Sequence, residues 1–228
     1  MSHLHVPDGL LPLWLWGPGL LLVLGMLALA SRSATPQRVA YQGALGALML
    51  AANALPLGPL EYHLTLSGPI GILLGPAGAF QAAFAVSVIL ALLGHGGFTV
   101  VGLNTLVLGA GAAVARPVYT ALVAIVRPRT AMAWGTASGQ AVAGGLWLLV
   151  MAATARFAPS HPGAAGLGHH TESPAAHFEV LAAFAFPLWL VGTAVEAMVA
   201  WGIGRFLERV HPALLPGGDP SVVHAEVA

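Results

Sequence analysis

Residues 65–93 read TLSGPIGILLGPAGAFQAAFAVSVILALL, a run without one charged side chain. A soluble domain carries about a quarter charged residues, because its surface must meet water. Outward from this run the whole chain repeats the pattern. Of 228 residues, 57% are apolar and 7% charged, with eight arginines, no lysine and eight carboxylates. The 29 glycines and 17 prolines do not signal disorder, which needs low hydrophobicity. Both residues are commoner in transmembrane helices than in soluble ones. The expected fold is an all-α, polytopic transmembrane helical bundle, with residues 1–228 forming a single integral membrane domain. A net charge of zero argues against nucleic acid, which selects a basic stripe. The absence of cysteine excludes thiolate metal sites.

A membrane span needs roughly 20 apolar residues, fewer when it is buried among other helices. Apolar segments fall at about 12–30, 39–56, 65–76, 77–93, 100–126, 131–154 and 179–204. The third is short, so six and seven spans are both open from length alone, and the arginines decide between them. With seven spans and the N-terminus outside, Arg32, Arg38, Arg127, Arg129, Arg205 and Arg209 fall on the cytoplasmic side. Arg156 alone falls outside, and Arg116 lies within a span. Merging the third and fourth segments would turn Arg127 and Arg129 outward, against the positive-inside bias. Seven spans are therefore expected, with Gly75-Pro76 as a tight inner turn. The stretch from Met1 to Leu11 lacks the basic residues of a secretory signal. Residues 157–178 read as a His-rich outer loop, and the tail from 211 to 228 as a poorly ordered cytoplasmic extension. Small residues recur four apart at Gly71 and Gly75 and at Gly135 and Gly139. Close packing within one bundle is the plainer reading, docking against a partner membrane protein the other.

Ionisable groups inside a membrane are costly and need partners. Arg116 lies 11 residues before Arg127, and Glu196 nine before Arg205. At about 1.5 Å per residue both would sit some 13–17 Å from the cytoplasmic helix ends. Equal depth predicts an Arg116–Glu196 structural ion pair, fixing helix register more readily than serving transport.

The histidines carry the chemical signal. His3 and His5 precede the first span, His63 follows Pro59-Leu60-Glu61-Tyr62, and His95 lies in Gly94-His95-Gly96-Gly97. The topology brings all four to the outer face. Neutral imidazole favours Ni, Co, Cu and Zn. A terminal amine, a deprotonated backbone amide and an imidazole together suit a square-planar ion such as Ni(II) or Cu(II). A single histidine near an N-terminus is ordinarily just solvated; four at one end of a bundle are the better argument.

His5-Val6-Pro7-Asp8-Gly9-Leu10-Leu11 resembles the N-terminal His-Ile-Pro-Asp-Gly motif of the CbiM/NikM proteins. These are the substrate-capture (S) components of energy-coupling factor transporters, the ECF type of ABC transporter, for cobalt and nickel. The resemblance runs through His63, Gly71-Ile72-Leu73-Leu74-Gly75-Pro76, Ala91-Leu92-Leu93-Gly94-His95-Gly96-Gly97 and Gly102-Leu103-Asn104. It resumes at Glu196, a carboxylate of the family's last span, and at His211-Pro212-Ala213-Leu214-Leu215. It implies that residues 1–11 fold back into the bundle and hold the metal. The ligands would be the terminal amine, the second residue's backbone nitrogen and imidazole, and a loop histidine, here His63. The family begins Met-His, whereas this chain begins Met-Ser-His-Leu. If Met1 is removed, Ser2 bears the amine and His3 stands second; if it stays, His3 is third. Motif alignment favours His5, chelate geometry favours His3, and both remain candidates. His95 stands where the family more often has an acidic residue, as a solvated loop histidine or a ligand. His161, His169, His170 and His177 would gather metal at the entrance only weakly.

The expected function follows: a capture subunit importing Co(II) or Ni(II) as transported substrate across a prokaryotic plasma membrane, for cobalamin biosynthesis or nickel enzymes. No prosthetic group, ATP-binding motif or catalytic site is expected. The resemblance implies a transmembrane coupling (T) subunit and paired ATPase subunits as partners, admits a small accessory membrane protein, and leaves no role for nucleic acid. Two other classes stand beside it. One is an S component or stand-alone carrier for a small organic solute, whose site would be largely apolar and aromatic. The other is a membrane scaffold without substrate.

Overall fold

The computed structural model describes residues 13–32, 35–56, 62–94, 97–157 and 174–217. Its described elements are all helical: α1 (Leu13–Ser31), α2 (Pro36–Ala54), α3 (Ser67–Leu92), α4 (Val101–Leu122), α5 (Pro128–Phe157) and α6 (Pro174–Val210), then a 3-10 turn at Pro212–Leu214. Helices α1, α3, α4, α5 and α6 are long and apolar enough to cross a membrane. The second helix falls short by composition, with Gln37, Arg38, Gln42 and Asn53 along it. It begins where local chemistry dictates. Thr35 is extended and its hydroxyl accepts the Arg38 N–H at 3.3 Å, while Pro36 occupies the first turn, where no N–H is missed.

The continuous label of α3 hides a fold-back. Gly75 has φ 77° and ψ 170°, a region only glycine occupies without strain, and Pro76 follows it. Gly71 packs on the backbone of Ala112, Gly75 faces Arg116, and Phe80 lies against Gly109. Both arms therefore run from the level of Arg116 back toward the start of α4. Leu66 and Ile70 of the first arm accordingly share one apolar cluster with Val86 and Leu90 of the second, alongside Met49 and Leu108. The expected tight turn at Gly75-Pro76 is present.

The glycines spaced four apart close the bundle on itself. A Cβ on Gly135 would fall 2.7 Å from the Ala115 carbonyl oxygen, and one on Gly139 would fall 2.5 Å from that of Gly111. The α4–α5 contact is thus built from backbone against backbone, which small residues permit. Outward-facing positions are apolar, including Leu21, Leu29, Leu149 and Met198, as a surface meeting lipid requires.

Two boundaries differ from expectation. Helix α6 starts at Pro174, so the loop expected at 157–178 is shorter by a turn. The tail expected from 211 is folded over its described part, residues 211–217. Leu215, 5% exposed, packs in a cluster with Ile72, Tyr119, Ala200 and Leu207. Burying a leucine contributes about 1.5–3 kcal/mol, enough to hold so short a segment.

Candidate metal site

His63 lies in the connection between α2 and α3, described over residues 62–66, and it is 8% exposed. Its Nδ1 is 2.6 Å from the carbonyl oxygen of Asn53, in the last turn of α2. A carbonyl only accepts, so Nδ1 carries the proton and Nε2 the lone pair. That is the tautomer a metal ligand needs, with the other ring nitrogen oriented by an outer partner.

The rest of the connection is fixed by buried polar groups from three helices. From α2, the Asn53 amide donates to the carbonyls of Met49 at 2.8 Å and Thr65 at 3.3 Å. From α5, Gln140 Nε2 donates to Thr65 Oγ1 at 2.8 Å. That hydroxyl also lies 3.1 Å from Ser67 Oγ and accepts the Ser67 N–H at 3.3 Å. From α6, the Glu196 carboxylate accepts the backbone N–H of Thr65, and that of Leu66 at 3.3 Å.

The position of Glu196, which is fully buried, has a clear cause. Leu66 adopts φ 50° and ψ 15°, left-handed and unusual for a leucine, immediately before the first turn of α3. This conformation turns consecutive amides toward one point and makes a small anion cradle. The positive end of the helix dipole adds to it. The carboxylate thus replaces lost water with two N–H donors and a helix terminus. Tyr62 lies beside it, its ring packed on the backbone at Gly192 of α6. Burial, and then the Glu196 charge, push its phenol above the ordinary tyrosine range.

The expected Arg116–Glu196 pair does not form. Glu196 reaches the start of α3, whereas Arg116 faces Gly75 at the other end of that arm. The helix ends explain the misplacement. Arg116 lies only six residues from the last residue of α4, about 9 Å. Glu196 lies fourteen from the last residue of α6, about 21 Å. The loop arginines were poor proxies for the helix ends. Arg116 instead lines, with Arg38, Tyr41, Gln42 and Gln81, a cavity of about 400 Å³ at that end. Arg129 and Glu208 form a salt bridge, 3.6 Å.

Ser2, His3, His5 and His95 lie outside the described residues, as do His161, His169, His170 and the side chain of His177. Among the described residues, no three His, Asp or Glu side chains gather as a metal-binding group. The sequence reading missed Asn53, Thr65 and Gln140. No local signal marked them, because α2 carries other polar groups besides Asn53 and the atoms that Thr65 and Gln140 meet are distant in sequence.

The family model for the cobalt uptake substrate-specific transmembrane region, CbiM, matches residues 5–214. The chain belongs to the CbiM family. Two crystal structures, one of a transition metal transporter and one of a truncated transition metal transporter, have the same fold. The chain is 18% identical to each, with TM-scores of 0.74. The first match covers 90% of this chain and 93% of that one, the second 91% and 99%. No curated protein matches this CbiM-family chain in sequence. Membership makes it a multi-pass membrane component of metal uptake.

Proposed function

We propose that this chain captures Co(II) or Ni(II) at its outer face, as the substrate-binding subunit of an ECF-type importer. The observation that carries this reading is the fixed tautomer of His63, which aims the chemistry of the ring at Nε2. His63 Nε2 would be one ligand. The others would come from residues 1–11: the terminal amine, borne by Ser2 if Met1 is removed, and the imidazole of His3 or His5. His95 is a further candidate. A rigid, buried nitrogen-donor site suits discrimination by geometry, since raw affinity alone ranks Cu(II) above both metals.

In this reading the chain crosses the membrane seven times, counting each arm of α3, with the N-terminus outside and residues 211–228 in the cytoplasm. The clustering of Arg129, Arg205 and Glu208 at one end supports that orientation. Transport energy would come from a transmembrane coupling subunit and paired ATPases. Imported metal would serve cobalamin synthesis or nickel enzymes.

The test is metal analysis of detergent-purified protein without a histidine tag, beside a His63→Ala variant. Co(II) and Ni(II) content is expected to collapse in the variant, leaving only weak residual binding; unchanged content would exclude the site. A few residues added before Met1 should weaken binding by displacing the amine, and undiminished binding would remove that ligand.

A further inference from the structure

We infer that Glu196, assisted by Gln140, is the positioning residue that holds His63 in its metal-ligating pose; this rests on the reading of His63 as a ligand. The bonds form one continuous path. Glu196 fixes the amides of Thr65 and Leu66. The Thr65 carbonyl accepts from the Asn53 side chain, and the Asn53 carbonyl accepts from His63 Nδ1. Gln140 restrains Thr65 from the opposite side, through its hydroxyl. The carboxylate thus lies two residues and three hydrogen bonds from the imidazole, on a helix distant in sequence.

A plainer role would be to cap α3. Several features argue for more. A helix N-terminus is usually capped by its own preceding side chain, as Thr35 caps α2. Here the cap position is a leucine with no side-chain bond, held left-handed, and the anion is supplied by α6. A left-handed leucine persists only where its surroundings over-determine it. The cradle moreover grips the backbone directly beside the histidine, and Gln140 and Asn53 converge on the same Thr65 rather than on the helix behind it. In metal sites, partners that orient a ligating histidine from outside typically change metal affinity about 10–100-fold when lost.

The test is Co(II) titration of the full-length, untagged protein in detergent. Glu196→Gln keeps the side-chain shape but leaves one acceptor oxygen for two amides and turns an NH2 toward N–H donors. Co(II) affinity should fall about 10–100-fold, with a shifted visible absorption band and unchanged stoichiometry. Against the residual binding of His63→Ala, the same substitution should change nothing further. Gln140→Leu should lower affinity in the same direction by a smaller factor. Folded Glu196→Gln protein with wild-type affinity would overturn the inference. So would an equal loss with His63 present and absent, the mark of a merely structural cap. If Glu196→Gln does not fold, Gln140→Leu decides, and wild-type affinity there overturns it. An inert His63→Ala would instead sink the capture reading itself.

Discussion

The two ends of this bundle both carry polar groups, but they treat them differently. At the His63 end, Thr65, Gln140 and Glu196 are 6%, 2% and 0% exposed, and each is tied to a particular backbone or side-chain atom. At the other end, Arg129 and Glu208 form a 3.6 Å pair with side chains 22% and 19% exposed. Arg129 and Arg205 both lie over Trp201, at 5.4 and 5.5 Å. Water can replace much of what those arginines lose; nothing can replace a partner at the buried end. On the proposed reading, one end is a site built to a geometry, and the other is a charge distribution that sets orientation.

The largest break in that comparison should come from His63→Ala. Loss of a direct ligand is expected to exceed the roughly 10–100-fold effect of an orienting partner. Equilibrium dialysis against Co(II) measures it, with circular dichroism showing the helices intact. Acidification should act at the same end. Nitrogen ligands bind metal only without their protons, so Co(II) affinity should fall as pH falls, with proton release on binding visible by calorimetry in buffers of different ionisation enthalpy. A flat pH profile would put the donor elsewhere.

A third prediction concerns Gly75, where the two ends are joined by the fold-back. Gly75→Ala meets both a glycine-only backbone conformation and the Arg116 guanidinium. It should cost about 1–3 kcal/mol, read as a lower midpoint of thermal unfolding in detergent. Tyr62 offers a finer probe. Its pKa is raised above the ordinary range, so the folded state favours the neutral phenol. The stability it contributes is fully present below about pH 10 and is lost as pH rises above that. Tyr62→Phe should therefore remove part of the alkaline loss of stability, followed by near-ultraviolet circular dichroism. The smallest effect belongs to the inner pair. Arg129→Gln should change stability by only about 0.2–1 kcal/mol, because the pair is partly solvated. A larger loss there than at Gly75 would reverse the contrast.

The apolar architecture was legible from residues 65–93 and the segments like it. So was the turn at Gly75-Pro76, because glycine before proline marks a break and the arginines required one. Boundaries were less legible, and that error propagated. Taking Arg127 and Arg205 as markers of helix ends placed Arg116 too deep and Glu196 too shallow, which created an ion pair that the fold does not contain. His63 could be singled out because imidazole in an outer loop has a restricted set of uses. Asn53, Thr65 and Gln140 could not. Their importance lies in which backbone atoms they meet, and those contacts join residues 65, 140 and 196, which no local pattern connects. The left-handed turn at Leu66 was equally hidden, since leucine gives no local reason for it.

The hairpin within α3 has a consequence for how the protein enters its membrane. Between Arg38 and Arg116 the chain has no lysine or arginine, and its one formally charged side chain is Glu61. Neither arm of the hairpin carries an orienting signal of its own, and its turn is a bare Gly-Pro pair. Insertion machinery that reads positive charge has nothing to read there. The two arms must take their direction from the arginines on either side, so the segment that presents His63 is the one whose orientation is inherited.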